Sequence, residues 1–210
     1  MERYLKIGAV NVKHNLGLHI LVCVLLALLA PAFMGTRNLQ EADVAKIMEV
    51  YLSLMGIILL VPVFLPDINR DIRDLIYSKK EPVPVLHFIR VLEALAVMAV
   101  IGILFLTLLK SEDCQFDFGN MFYTLMANGM FLGGMGMFMF AVFDQRVFAY
   151  MIPLVYYVIN YGAGKDKLGK FWLFSMQRGS IEEKHYLISF GILFLVGAIV
   201  TIKLKTLRRK

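Results

Sequence analysis

Between two long apolar runs, residues 64–84 read FLPDINRDIRDLIYSKKEPVP and carry eight charged side chains, four of each sign. Charge of both signs at this density suits recognition more than catalysis. Ile68, Ile72, Leu75 and Ile76 follow i, i+4, i+7, i+8, which is one face of an α-helix, while Asp67, Arg70, Asp71 and Asp74 fill the other. Pro66 and Asp67 suit the start of such a helix, where an acid meets the positive end of the helix dipole. Pro82 and Pro84 end it, because neither donates a backbone hydrogen bond and each restricts the residue before it. The pattern predicts a helix of about three turns lying on a membrane surface. Two readings of its polar face stand side by side: a solvated face on an interfacial linker, or a mixed-charge face that docks a soluble partner.

Three polar residues fall inside apolar runs. Arg90 and Glu93 sit in the stretch VPVLHFIRVLEAL, and Asn128 opens NGMFLGGMGMFMFAVF. Glu93 lies nine residues past Pro84, roughly 13 Å along a helix. An ionisable group at that depth costs about 3 kcal/mol unless it is paired or hydrated. Arg90 is its i−3 neighbour and is placed either to pair with it or to snorkel to lipid headgroups. Asn128 is suited to hydrogen bonding across helices.

The elements that must position these groups are long and apolar. The chain has 210 residues, of which 59% are hydrophobic and only 18% charged, with a mean hydropathy of +0.70. Runs of about 17–25 apolar residues are long enough to cross a bilayer, and several occur. We therefore read an all-α, polytopic membrane protein with one transmembrane domain over residues 1–210. Spans are predicted at Leu16–Phe33, Ile47–Leu65, Val85–Leu109, Met121–Phe143, Val147–Tyr161 and Tyr186–Ile202, the fifth interrupted by Pro153. Ala30-Pro31-Ala32 fits a signal-peptidase site after a basic flank, but the segment is read as the first span.

An even number of spans puts both termini on one side. That side would carry 13 Lys and Arg and the opposite side eight, so both termini and residues 66–84 are expected in the cytoplasm of a plasma-membrane protein. Five of those eight lie in the external loop 162–185, against the trend. That loop holds an apolar block, Phe171–Phe174 with Met176, flanked by Lys170 and Arg178. We expect it to form a short re-entrant or interfacial helix. Ser180 and Glu183 have capping-box spacing, which places the last helix start near Ile181.

In the fourth span Gly129 and Gly133 form G-x-x-x-G, which lets helix backbones approach closely in lipid. The nearby Met130, Met135, Met137 and Met139 are read as packing, since no Cys or His joins them to make a soft-metal site. Cys23 and Cys114 have neither disulfide nor metal spacing. His14, His19, His87 and His185 are scattered. GAGK at 162–165 is not a phosphate loop, because no G-x-x-x-x-G-K-[ST] surrounds it. No catalytic residue, metal ligand or cofactor is expected on this chain, and no nucleic acid partner.

A basic N-terminal flank (residues 1–15), six spans, a charged helix after the second span, the turn SKKEP and an Arg early in the third span together resemble ABC transporter permeases of the ABC-2 type. The resemblance implies that the helix Asp67–Tyr77, with Asp67, Arg70, Asp71, Arg73, Asp74 and Tyr77, is a coupling helix docked on a separate ATPase subunit. ATP and Mg would be bound there. It further implies an elbow helix near Tyr4–Asn15, outer helices between the last two spans, and pairing with a second copy or a sister permease. The implied activity is export of a hydrophobic or amphipathic peptide, drug or lipid. The alternatives are a non-transporting immunity or assembly factor and a membrane-embedded enzyme.

Overall fold

A computed structural model describes residues 11–35, 37–68 and 83–208. Among them there is helix, turn and loop but no strand. In chain order the helices are α1 (Gly17–Met34), the composite α2 (Glu41–Leu65), α3 (Val83–Ser111), α4 (Phe118–Phe143), α5 (Arg146–Ala163), the short α6 (Lys165–Leu168) and α7 (Glu182–Arg208). Four of these, α2, α3, α4 and α7, are long and apolar enough to cross a membrane, and α1 contributes a shorter apolar helix over Gly17–Ala32. Their length and composition are those of a helical membrane protein.

The centre of the bundle is α4, against which α2, α3, α5 and α7 all pack. Small residues make this possible. A Cβ added at Gly56 of α2 would overlap the carbonyl of Gly129, and one at Gly133 would overlap the carbonyl of Gly56. On another side of α4, a Cβ at Gly134 would stand 2.9 Å from the Gly191 carbonyl of α7. Lipid offers no hydrophobic drive for helix association, so close backbone approach supplies dispersion contacts in its place. The faces of α1, α3, α5 and α7 turned away from α4 expose Leu18, Leu25, Leu104, Val158 and Leu193, as a lipid-facing surface requires.

Pro153 lies within a continuous helix, not at an interruption. Proline cannot donate to the carbonyl four residues back, here Ala149. That carbonyl faces Gly136 of α4, where an added Cβ would lie 2.7 Å away. The freed oxygen is thus packed against a neighbouring helix, which is how proline is accommodated in membrane helices. The last helix begins at Glu182, and Ser180 donates its hydroxyl to the Glu183 carboxylate, side chain to side chain. At the opposite end of α4, Asp144 ends the helix at φ 55°, and Lys205 reaches both the Val142 carbonyl (2.9 Å) and Asp144 (3.0 Å).

Candidate functional site

The composite α2 is irregular. It runs as α-helix over Glu41–Lys46, π-helix over Ile47–Tyr51, 3-10 turn over Leu52–Leu54, α-helix over Met55–Leu60 and 3-10 helix from Val61. Pro62 and Pro66 remove backbone donors from the last part. The π segment widens the helix around Glu49 and leaves carbonyls for side chains to satisfy. Tyr157 of α5 donates to the Val50 carbonyl at 2.6 Å, and Ser53 donates to that of Glu49.

Glu49 itself points into the bundle and is 0% exposed, as is Lys184 in the first turn of α7. Their Oε1 and Nζ atoms are 2.7 Å apart. A cation in the first turn of a helix opposes the helix dipole; the carboxylate opposite it accounts for its place there. The ammonium has three donors and three acceptors: Glu49, Asn128 Oδ1 of α4 at 3.0 Å, and the Leu173 carbonyl. The carboxylate in turn accepts from the Met176 amide at 2.8 Å, the Gln177 amide at 3.3 Å and the Gln177 side chain at 3.1 Å. A charge pair removed from solvent is tolerable only with this degree of hydrogen bonding.

Most of these contacts hold the segment between α6 and α7. It carries 3-10 turns at Gly169–Phe171 and Met176–Arg178, and it folds back among the helices so that Trp172, Leu173, Phe174, Ser175 and Met176 are buried. Its backbone is gripped from four directions. Asn128 donates to the Leu173 carbonyl at 3.0 Å, and Asn160 of α5 accepts from the Leu173 amide at 2.8 Å. Tyr156 donates to the Phe171 carbonyl at 2.6 Å. On the rim, Lys165 pairs with Glu183 at 2.8 Å, Arg178 lies over the Trp172 ring, and Lys170 donates to the Tyr186 hydroxyl at 3.0 Å. That last bond, with the electrostatic pull of the tyrosine oxygen, holds the exposed Lys170 ammonium above its ordinary range.

Of the residues singled out from sequence, Asn128 falls in this network, and Gly129 and Gly133 lie against α2 one and five residues further along α4. Arg90 and Glu93 lie apart from it. Buried Arg90 donates to the Val63 carbonyl at 3.2 Å, and Glu93 accepts from the side chain of Asn11 at 2.7 Å. Asn11 continues through helical backbone into α1 and is buried, so this end of the proposed elbow segment is packed into the bundle; residues 4–10 lie outside the described residues. Asp67 lies one residue before the end of the 3-10 helix Val61–Ile68, which runs on past α2. Arg70, Asp71, Arg73, Asp74 and Tyr77 lie outside the described residues.

Sequence reasoning missed Glu49, Lys184 and Asn160. Glu49 stands at the edge of an expected span, Lys184 in an expected loop and Asn160 near the end of the fifth expected span, positions where polar residues are ordinary. The available signal was Glu49, a lone acid in the run IMEVYLSLMGIILLV. No protein-family model, curated protein or solved structure matches the chain.

Proposed function

We propose that this chain is the membrane-spanning permease subunit of an ATP-driven exporter of the ABC-2 type. The observation that carries the reading is the charged segment 66–84, set between two bundle helices, α2 and α3, that both pack on α4. A lever placed there would move two helices at once. In this reading α1 and α5 are the remaining two spans, each 18 residues long, about 27 Å at 1.5 Å per residue. Both termini and residues 66–84 face the cytoplasm of a plasma-membrane protein, and residues 164–181 form the re-entrant outer element. Closure of two ATPase subunits pushes on Asp67–Tyr77, tilts α2 and α3, and alternates access; a second copy or a sister chain completes the pathway.

Reversing charge at Arg70, Asp71 and Asp74 together tests this. Single exposed pairs contribute only about 0–1 kcal/mol, so a triple change is needed. The expected result is lost ATPase binding and lost transport with normal membrane insertion. By contrast, Ile72→Asp with Leu75→Asp removes the apolar anchor and lowers the amount of folded protein. If the triple variant binds ATPase and transports normally, the segment is an interfacial linker and the permease reading fails.

A further inference from the structure

The groups that hold residues 171–177 share one property: each contacts the backbone of that segment. Tyr156 takes the Phe171 carbonyl, Asn160 the Leu173 amide, Asn128 and Lys184 the Leu173 carbonyl, and Glu49 the Met176 and Gln177 amides. Five side chains from four helices therefore line a cleft built to recognise peptide groups. The segment's own side chains fill apolar space: Phe171 lies against Phe131 and Phe190, and Phe174 against Tyr157 and Tyr161. Backbone recognition with apolar pockets is the way proteins bind peptides with little regard to sequence.

The resident segment is also jointed. Gly164, Gly169 and Gly179 have φ of 70°, 53° and 72°, and a Cβ at any of them would meet nothing within 4 Å. These positions favour glycine for conformation alone, and they bracket residues 170–178 on both sides. If residues 170–178 move as a unit, these glycines are the joints about which they pivot.

We propose that the cleft lined by Glu49, Asn128, Tyr156, Asn160 and Lys184 is a binding site for an apolar peptide segment, and that residues 171–177 are its internal occupant in the closed state. Displacing that segment frees the same donors and acceptors for a peptide backbone from elsewhere. Naming the peptide as cargo rests on the transport reading above; the binding itself does not.

The test uses the full chain in lipid nanodiscs and a synthetic peptide of the segment's own sequence, KFWLFSMQRG, with a photoreactive group at its amino end. In the variant Trp172→Ala with Phe174→Ala, which loosens the occupant without touching the cleft's polar groups, the peptide is expected to label the stretches around Glu49, Asn128 and Lys184 saturably. A peptide N-methylated at the amides matching Leu173 and Met176 should label about thirtyfold less, the effect of losing two hydrogen bonds. Equal labelling by both peptides, or none in a variant that retains the wild-type melting temperature, overturns the proposal. The wild-type chain gives an independent readout in case the variant misfolds. Saturating peptide should accelerate hydrogen exchange at the Leu173, Met176 and Gln177 amides, and unchanged exchange overturns the proposal. Failure here with an ATPase still bound to the chain removes the peptide site and leaves the permease reading standing. Saturable labelling without any ATPase partner does the reverse.

Discussion

Replacing Lys184 by Met keeps the length and apolar stem of the side chain but removes its charge. The structure sets the size of the effect. The ammonium makes one ion pair at 2.7 Å and two further hydrogen bonds, all without solvent. Its loss leaves the Glu49 carboxylate buried with three N–H donors and no cation. Breaking a buried pair from one side costs about 3–5 kcal/mol. Glu49→Gln in the same background removes the stranded charge, and a neutral pair of similar volume should recover much of the loss. A double-mutant cycle is then expected to give a coupling of about 2–3 kcal/mol. Exchanging the two residues, Glu49→Lys with Lys184→Glu, should not recover stability, because the groups around position 49 are N–H donors and those around 184 are oxygen acceptors. The assay is reversible unfolding in mixed micelles, followed by the fluorescence of Trp172, the only tryptophan. A coupling below about 0.5 kcal/mol, the size expected of independent sites, or full recovery by the swapped pair, would refute the account of this site.

Three other outcomes are expected, two from the packing and one from the charge distribution. Gly133→Ala drives a methyl into the Gly56 carbonyl and the Leu60 side chain, and should lower stability by about 1–3 kcal/mol; Gly162→Ala, with open space around it, should be neutral or stabilising by up to about 1 kcal/mol. Unfolding of the two variants in parallel checks this. Asn160→Ala leaves the Leu173 amide without its acceptor, so that amide should exchange with deuterium at least about fivefold faster, for a hydrogen bond of about 1 kcal/mol. A reporter after Lys210 or at Lys79 should score cytoplasmic and one at Lys167 external; a cytoplasmic signal at Lys167 means that α5 does not cross.

The long apolar helices were legible because a bilayer imposes both length and composition, and α3, α4 and α7 each extend past their expected limits by one or more residues at both ends or at the start. The glycine contact of α4 was legible as well, but its partner Gly56 was not, since spacing names one side of an interface only. The buried pair was hidden for a different reason. Glu49 and Lys184 are 135 positions apart, and each looks like an edge residue until the fold sets α2 against the first turn of α7. Arg90 and Glu93 stood out as ionisable residues in an apolar run, yet the groups they bond, on Val63 and Asn11, belong to other parts of the chain. Periodicity also could not show that the block Phe171–Met176 is held by its backbone, because a hydrogen bond to a peptide group leaves no mark on residue type.

The permease reading is tested most directly by isolating the chain from native membranes in mild detergent and measuring ATP hydrolysis in the preparation. The chain alone is expected to be inactive. The isolated complex should contain a separate subunit with nucleotide-binding motifs, in one-to-one ratio with this chain. Its ATPase rate should fall when Arg70, Asp71 and Asp74 are reversed in charge. A chain that purifies without such a subunit and still moves its cargo without ATP would contradict the account.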